Sequence, residues 1–188
     1  MVRVAFSGVC LAALLAASLE IRSVDGRILR PFDPSGAASV LVFVATDCPI
    51  SNGYAPELQR ICRAYAPKGV SCVLLYEDAA VTADDVRKHL AEYRYAGGIA
   101  AAIDADGALA RRAGASVTPE VAVIDKRGAI RYRGRIDNQY EAFGRPRRVV
   151  TAHDLQEAIE AVVEGKPVAA AETTPIGCFI VPSGLRRR

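Results

Sequence analysis

A chain of 188 residues with 51% hydrophobic and 24% charged residues can bury one core of ordinary size, which predicts one domain and excludes a disordered chain. The net charge of +3 is small. The arginine clusters at residues 145–148 and 186–188 contain no aromatic residues, so the charge pattern gives no support to nucleic-acid binding.

The first 18 residues are typical of a secretory signal peptide. Arg3 precedes an apolar run at residues 4–17, and we expect cleavage near Ser18. The run is too short, and too closely followed by charge, for a stable membrane span. We therefore predict an exported, periplasmic or extracytoplasmic protein in which disulfides persist. The alternative is an N-terminal strand or helix of the mature fold.

After this segment, apolar runs alternate with helix signals. Strands are predicted at residues 40–44, 70–76, 99–103, 121–124 and 129–135, and helices at 54–65, 82–95 and 106–112. A last helix is predicted to start at Thr151 or at His153-Asp154 and to end near residue 163. The last two strands form a predicted hairpin. This alternation predicts an α/β layered sheet with a mixed strand arrangement. We expect one domain at residues 19–166 and an irregular tail at 167–188.

Cys48 lies where the first predicted strand ends and a helix begins. Ser51 and Asn52 are predicted to cap that helix. Unpaired N–H groups and the positive end of the helix dipole favour the reactive thiolate, whereas the charge of Asp47 opposes it. The direction of the pKa shift therefore stays open, and a buried structural cysteine is the alternative.

The predicted mature chain keeps four cysteines: Cys48, Cys62, Cys72 and Cys178. Their spacing is not that of a zinc site. His89 and His153 are far apart and expected on helix surfaces, so we predict no metal and no organic cofactor. Cys72 lies in an apolar strand, where a buried, inert thiol is expected.

Two prolines indicate special backbone positions. Pro56 is predicted to bend the helix after Cys48, or else to mark a helix start. Pro119 follows Thr118 and directly precedes a predicted buried strand. It is either a cis proline that presents the backbone of Thr118 or a trans proline in a loop.

Four motifs follow one another along the chain: Asp-Cys-Pro-Ile-Ser-Asn at 47–52, Val-Thr-Pro-Glu at 117–120, Tyr-Arg-Gly-Arg-Ile-Asp at 132–137, and Gly-Cys at 177–178. Over about residues 40–163 the chain resembles the thioredoxin-like redoxins, and more narrowly an exported bacterial subgroup. That family contains thiol-disulfide oxidoreductases and alkyl-hydroperoxide-reductase type peroxidases. The resemblance implies a three-layer α/β/α sandwich with a terminal β-hairpin. It also implies Cys48 as the nucleophile and Thr118-Pro119 as a cis pair that binds the substrate backbone.

The chain lacks residues that are typical of both groups of enzymes in this family. Ser51 stands where a dithiol oxidoreductase has its second cysteine. Ala45 stands where the related peroxidases have threonine, and the place of their supporting arginine falls at Pro119. Arg133 or Arg135 could substitute for that arginine.

A second thiol is needed to resolve a mixed disulfide on Cys48. Cys62 lies 14 residues further along, about 20 Å away if the chain is helical, which is too far for a disulfide. We expect that Cys178, in the tail, pairs with Cys48. A tail cysteine that pairs with nothing, or between molecules, is the alternative.

We predict an exported thiol-disulfide oxidoreductase whose substrate is a protein disulfide or dithiol, in either direction of electron flow. One alternative is an antioxidant thiol peroxidase in which Cys48 becomes a sulfenic acid and condenses with Cys178. The other is a non-enzymatic binding module. Four charged residues are candidates to line the site, with surface ion pairing as the alternative: Glu57, Arg133, Arg135 and Asp137.

Overall fold

The computed structural model describes residues 19–95 and 98–181, so the predicted signal peptide at 1–18 lies outside the described residues. The helices are α1 (Pro49–Gly53), α2 (Ala55–Tyr65), α3 (Ala83–Glu92), α4 (Ala108–Ala113) and α5 (Asp154–Val163), with a 3-10 turn at Ala66–Lys68. The strands are β1 (Ile21–Arg22), β2 (Ile28–Leu29), β3 (Ala38–Val44), β4 (Val70–Tyr76), β5 (Ile99–Ile103), β6 (Val117–Thr118), β7 (Glu120–Asp125), β8 (Ile130–Gly134), β9 (Tyr140–Ala142), β10 (Arg145–Pro146) and β11 (Cys178–Phe179).

Five strands form the central sheet, in the order β5-β4-β3-β7-β8. The pairs β3–β4 and β4–β5 are parallel, whereas β3–β7 and β7–β8 are antiparallel. The strands β7 and β8 follow each other through a short turn, as the sequence predicts. The expected α/β fold with a mixed sheet and a terminal hairpin is therefore confirmed.

The central strand β3 is buried along its whole length, because helices cover both faces of the sheet. On one face, Val42 belongs to a core cluster with Leu58 of α2 and Leu155 of α5. On the other, Phe43 belongs to a second cluster with Leu109 of α4. This alternation along β3 produces the three-layer sandwich that the family resemblance implies.

The helix after Cys48 begins earlier than predicted and is interrupted. It starts at Pro49, directly after Cys48, so the expected capping role of Ser51 and Asn52 is wrong. The helix ends at Gly53, and after Tyr54 a second helix begins with Pro56 in its first turn. Proline fits there because a first-turn N–H has no partner within the helix. Pro56 therefore marks a helix start, and the predicted bend within one helix is wrong.

Cys62 and Cys72 form a disulfide that ties α2 to β4, with their Cα atoms 6.0 Å apart. The expectation of an inert free thiol at Cys72 is therefore wrong. Its strand runs beneath α2, and the apolar surroundings that suggested an unreactive thiol also hold Cys62 against it. Both residues are buried, at 5% and 3% exposure.

Part of the C-terminal tail pairs with the body of the domain. The two residues of β11 form an antiparallel pair with β6, in which Cys178 lies opposite Thr118 and Phe179 opposite Val117. None of the helices described at 19–95 and 98–181 is long and apolar enough to cross a membrane.

The double variant Cys62→Ala/Cys72→Ala should lose about 2–3 kcal/mol of unfolding free energy, because the disulfide restricts a loop of ten residues in the unfolded chain. Urea unfolding of both proteins, with and without reductant, measures this loss. Reductant should destabilise the parent protein and leave the variant unchanged. Equal sensitivity of the two proteins to reductant would contradict a stabilising role.

Candidate functional site

Cys48 and the Thr118-Pro119 pair meet at one end of the sheet. The Cys48 thiol donates a hydrogen bond to the Thr118 carbonyl oxygen, with Sγ and O 3.0 Å apart. The peptide bond between Thr118 and Pro119 is cis, the first of the two forms considered from the sequence. Cys48 immediately precedes α1, so its sulfur lies near the free N–H groups at the start of that helix.

The tail brings the second thiol to this place. Cys178 is a free cysteine in β11, and its thiol donates to the Cys48 sulfur across 2.7 Å. A disulfide bond is about 2.05 Å long. The two sulfur atoms are therefore in contact, and no backbone element needs to move far for them to bond. Four predicted site residues converge here: Cys48, Cys178, Thr118 and Pro119.

Cys48 is almost fully enclosed, with only 1% of the residue exposed. A visiting molecule therefore cannot touch this sulfur directly while the tail is in this position. Cys178 of the tail lies against the sulfur, and the pairing of β11 with β6 holds Cys178 there. Cys178 itself is half-buried.

Burial alone would raise the pKa of the Cys48 thiol, but hydrogen bonds from Cys178 and from Ser51 outweigh it and hold the pKa below its ordinary value. The Ser51 contribution comes from both its backbone N–H and its hydroxyl. The net direction, which the sequence left open, favours the thiolate. Cys178 shows the opposite behaviour, because burial and its hydrogen bond to Cys48 raise its pKa to about 12.

Two buried hydroxyl groups adjoin the sulfur. Neither Ser51 Oγ nor Thr118 Oγ1 has a conventional hydrogen-bond partner among the described residues, although each contributes to lowering the pKa of Cys48. Unpaired buried hydroxyls cost free energy, so a thiolate that accepts from them is favoured. The sequence presented Ser51 only as a missing cysteine, and its role as a neighbour of the sulfur was not foreseen.

Side chains behind the site fix the loop that carries Cys48. Asn52 donates from Nδ2 to the Thr46 carbonyl and uses its Oδ1 to contact His89 Nε2 at 2.8 Å. The other ring nitrogen of His89 contacts the Tyr76 hydroxyl at 2.9 Å. His89 is therefore buried, and the prediction that it lies on a helix surface is wrong. His153 is exposed, as expected.

Glu120 fixes the opposite loop. Its buried carboxylate accepts hydrogen bonds from the backbone N–H groups of Ser116 and Val117, at 2.8 and 3.3 Å. These bonds hold the chain that leads into Thr118-Pro119. A charged residue at the start of an apolar strand was the available signal in the sequence, because such residues are seldom buried without partners.

The charged residues proposed to line the site have other partners. Arg133 pairs with Glu172 and Arg135 with Asp154, and neither guanidinium is hydrogen-bonded to Cys48 in the part of the chain that the structure describes. Glu57 pairs with Arg60. The buried Asp137 accepts a hydrogen bond from Tyr54 at 2.6 Å.

A cavity of about 260 Å³ lies beside Cys178, and Asp47, Glu77 and Thr118 also line it. Burial and the neighbouring Asp104 carboxylate raise the pKa of Glu77 to about 9, so Glu77 is protonated at neutral pH. Within residues 19–95 and 98–181, no group of three or more His, Cys, Asp or Glu residues is placed to hold a metal ion.

Residues 31–146 match the Redoxin family. Two solved structures are similar over most of their length. A hypothetical protein from Sinorhizobium meliloti 1021 is 27% identical, with a TM-score of 0.74, over 88% of this chain and 91% of its own. An uncharacterized conserved protein from Geobacillus kaustophilus is 28% identical, also with a TM-score of 0.74, over 87% and 88%.

A secreted disulfide oxidoreductase from Mycobacterium tuberculosis, described as homologous to E. coli DsbE, shares the fold at 16% identity. Its TM-score is 0.54, over 79% of this chain and 96% of its own. No curated protein matches this chain.

Ser51→Ala should raise the pKa of Cys48, because it removes one of the two hydroxyls that favour the thiolate. We expect the alkylation rate of Cys48 at neutral pH to fall roughly threefold, as measured by mass spectrometry of the Cys48 peptide across a pH series. Ser39→Ala is the matched control, since Ser39 Oγ is also buried and unpartnered but lies on β3. Equal changes in both variants would contradict a specific effect.

Glu77→Gln should flatten the dependence of stability on pH. The native pKa of Glu77, about 9, lies above its ordinary value of 4.5, so its contribution to stability is complete below 4.5 and declines as pH rises toward 9. Glutamine stays neutral, and the variant should unfold about 3–10 °C above the parent at pH 8. Exposed Glu92 supplies the control, Glu92→Gln. A parallel pH profile for Glu77→Gln and the parent would contradict this assignment.

Proposed function

Since the chain belongs to the Redoxin family, we propose that it is an exported thiol-disulfide oxidoreductase with Cys48 as the nucleophile and Cys178 as the resolving cysteine. The observation that carries the proposal is the contact of the two free thiols, 2.7 Å apart, beside the cis Thr118-Pro119 pair. Their opposite pKa shifts support the division of roles. Cys48 ionises first, and Cys178 keeps its proton until Cys48 has reacted.

In the reductive direction, the Cys48 thiolate attacks one sulfur of a partner disulfide. The partner's S–S bond breaks, a bond forms between Cys48 and that sulfur, and the departing partner thiolate takes a proton. Cys178 then loses its proton and attacks Cys48. The mixed disulfide breaks, the Cys48–Cys178 disulfide forms, and the partner leaves with both of its cysteines reduced. Two electrons pass from the protein to the partner, and the same steps in reverse oxidise a partner dithiol.

The tail has to withdraw before a partner reaches Cys48. The sulfur is enclosed while Cys178 rests on it, and Cys178 is held by a short pairing, which consists of the two residues of β11 and one further bond from the Ile180 N–H to the Ser116 carbonyl. Such a short pairing opens at a small free-energy cost compared with unfolding of the domain. The return of the same segment brings Cys178 back for the second step.

Export is supported by the predicted signal segment at residues 1–18 and by the Cys62–Cys72 disulfide, since structural disulfides persist in oxidising compartments. A protein disulfide or dithiol fits this site better than a peroxide. The arginines that could have served a peroxidase pair with Glu172 and Asp154. A binding module would not require two thiols in contact.

Cys48→Ser should slow the reduction of insulin disulfides, with dithiothreitol as the electron source, by about 100-fold or more, because it removes the nucleophile. When the protein is first reduced and the dithiothreitol is then removed, Cys178→Ser should instead accumulate a mixed disulfide between Cys48 and an insulin chain, since the second step is lost. Non-reducing electrophoresis followed by mass spectrometry identifies this species.

Cys62→Ala/Cys72→Ala is the control, because it removes two other cysteines and leaves the sulfur pair intact. It should retain insulin reduction below its unfolding temperature. Full activity of Cys48→Ser would overturn the proposal. A fast reaction of the reduced protein with hydrogen peroxide, beyond that of an ordinary thiol, would favour the peroxidase alternative.

A further inference from the structure

The tail lies along β6 in the manner of an added peptide strand. Cys178 is opposite Thr118, Phe179 is opposite Val117, and the N–H of Ile180 donates to the Ser116 carbonyl at 2.9 Å. Addition of a strand to a free edge is a common way for proteins to bind extended peptides, with affinity from the backbone and selectivity from alternate side chains. The pairing sets a register in which the sulfur of the added strand reaches Cys48.

The apolar side chains two positions before and two positions after Cys178 both contact the body of the domain. Ile176 and Ile180 are partly buried and pack against the two core clusters, Ile176 on the side of Cys48. Phe179, between Cys178 and Ile180, is 85% exposed. The body of the domain therefore contacts the residues two positions before and two positions after the cysteine, and leaves the residue directly after it in solvent.

Within the 176–180 segment, position 177 has no space for a side chain. A Cβ atom there would lie 2.6 Å from the Thr118 carbonyl carbon, 3.1 Å from Pro119 N and closer still to the Thr118 carbonyl oxygen. These are backbone atoms of the loop held by Glu120, so they cannot move aside as a flexible side chain would. Only glycine fits in this register.

We propose that the 176–180 segment occupies the binding site for the substrate, and that the substrate segment which replaces it has the pattern apolar–Gly–Cys–any–apolar. This inference rests on the proposed function, because it assumes that Cys48 exchanges with a partner disulfide. A substrate strand with this pattern places its own sulfur where Cys178 Sγ now lies. The tail and the substrate then exclude each other from β6.

Selectivity is measured with the full-length Cys178→Ser variant, in which Cys48 is the nucleophile. The probes are the peptides Ile-Gly-Cys-Phe-Ile and Ile-Ala-Cys-Phe-Ile, each with its cysteine in a mixed disulfide with thionitrobenzoate. The Cys48 thiolate bonds to the peptide sulfur, the bond to thionitrobenzoate breaks, and that coloured thiolate leaves. We expect the glycine peptide to react about 10- to 100-fold faster than the alanine peptide, because the extra methyl group meets rigid backbone.

Competition by the tail is measured with Gly177→Ala/Cys178→Ser. The same methyl group now weakens the hold of the tail, so the glycine peptide should react about 10-fold or more faster than with Cys178→Ser alone. The variant Cys48→Ser/Cys178→Ser gives the background rate of thionitrobenzoate release that comes from any other thiol in the chain. Phe179→Ala/Cys178→Ser is the matched tail variant, and its exposed side chain should have little effect on the rate.

The outcomes separate this inference from the proposed function. Rapid reaction of both peptides at equal rates, or no acceleration by Gly177→Ala, would overturn the inference and leave the oxidoreductase intact. The small disulfide 5,5′-dithiobis(2-nitrobenzoate) tests the function itself. The proposed function would be contradicted if Cys48 reacted with this disulfide no faster than a free peptide thiol does, in both Gly177→Ala/Cys178→Ser and Phe179→Ala/Cys178→Ser.

Discussion

The register between β3 and β7 determines that Cys48 and Thr118 meet. Phe43 pairs with Glu120, so the chain that leaves β3 and the chain that enters β7 lie side by side at one end of the sheet. Cys48 and Thr118, 70 positions apart in sequence, are thereby brought within hydrogen-bond distance. A slip of one residue would turn every side chain of the strand to the other face of the sheet. The chemistry of the site therefore depends on ordinary backbone pairing in the buried centre of the fold.

The thiols of Cys48 and Cys178 are both shielded from water, but their pKa values shift in opposite directions. Both lose contact with water, which disfavours the ionised form of each. Cys48 also receives hydrogen bonds, from Cys178 and from Ser51, and these reverse the effect of burial. Cys178 donates a hydrogen bond to Cys48 and keeps its proton, because losing it would place a second negative charge beside the Cys48 thiolate. The pair thus loses one proton readily and the second with difficulty, which is the behaviour of coupled ionisable groups.

The features that could be predicted from the sequence are those that depend on residues close together in the chain. The alternation of apolar runs and helix signals was sufficient for the α/β architecture and the hairpin of β7 and β8. Cys48 stood out because a strand end and a helix start adjoin it. The Cys62–Cys72 disulfide and the burial of His89 were missed, because each depends on a partner from another element. The strand β11 was also missed, since two residues in a Pro- and Thr-rich tail carry no periodicity. The enclosure of Cys48 was missed for the same reason, because it is β11 that brings Cys178 onto the Cys48 sulfur.

The glycine before Cys178 has a consequence for how this protein can change over evolutionary time. The backbone atoms of Thr118 and Pro119 contact the tail, and in our proposal they also contact the substrate. Residues 176–180 therefore have the same sequence pattern as the proposed substrate. A substitution that reshapes the Thr118-Pro119 loop alters both uses at once. A change in substrate preference therefore requires a matching change at residues 176–180. Without that change, the tail no longer pairs with β6 and Cys178 no longer reaches Cys48.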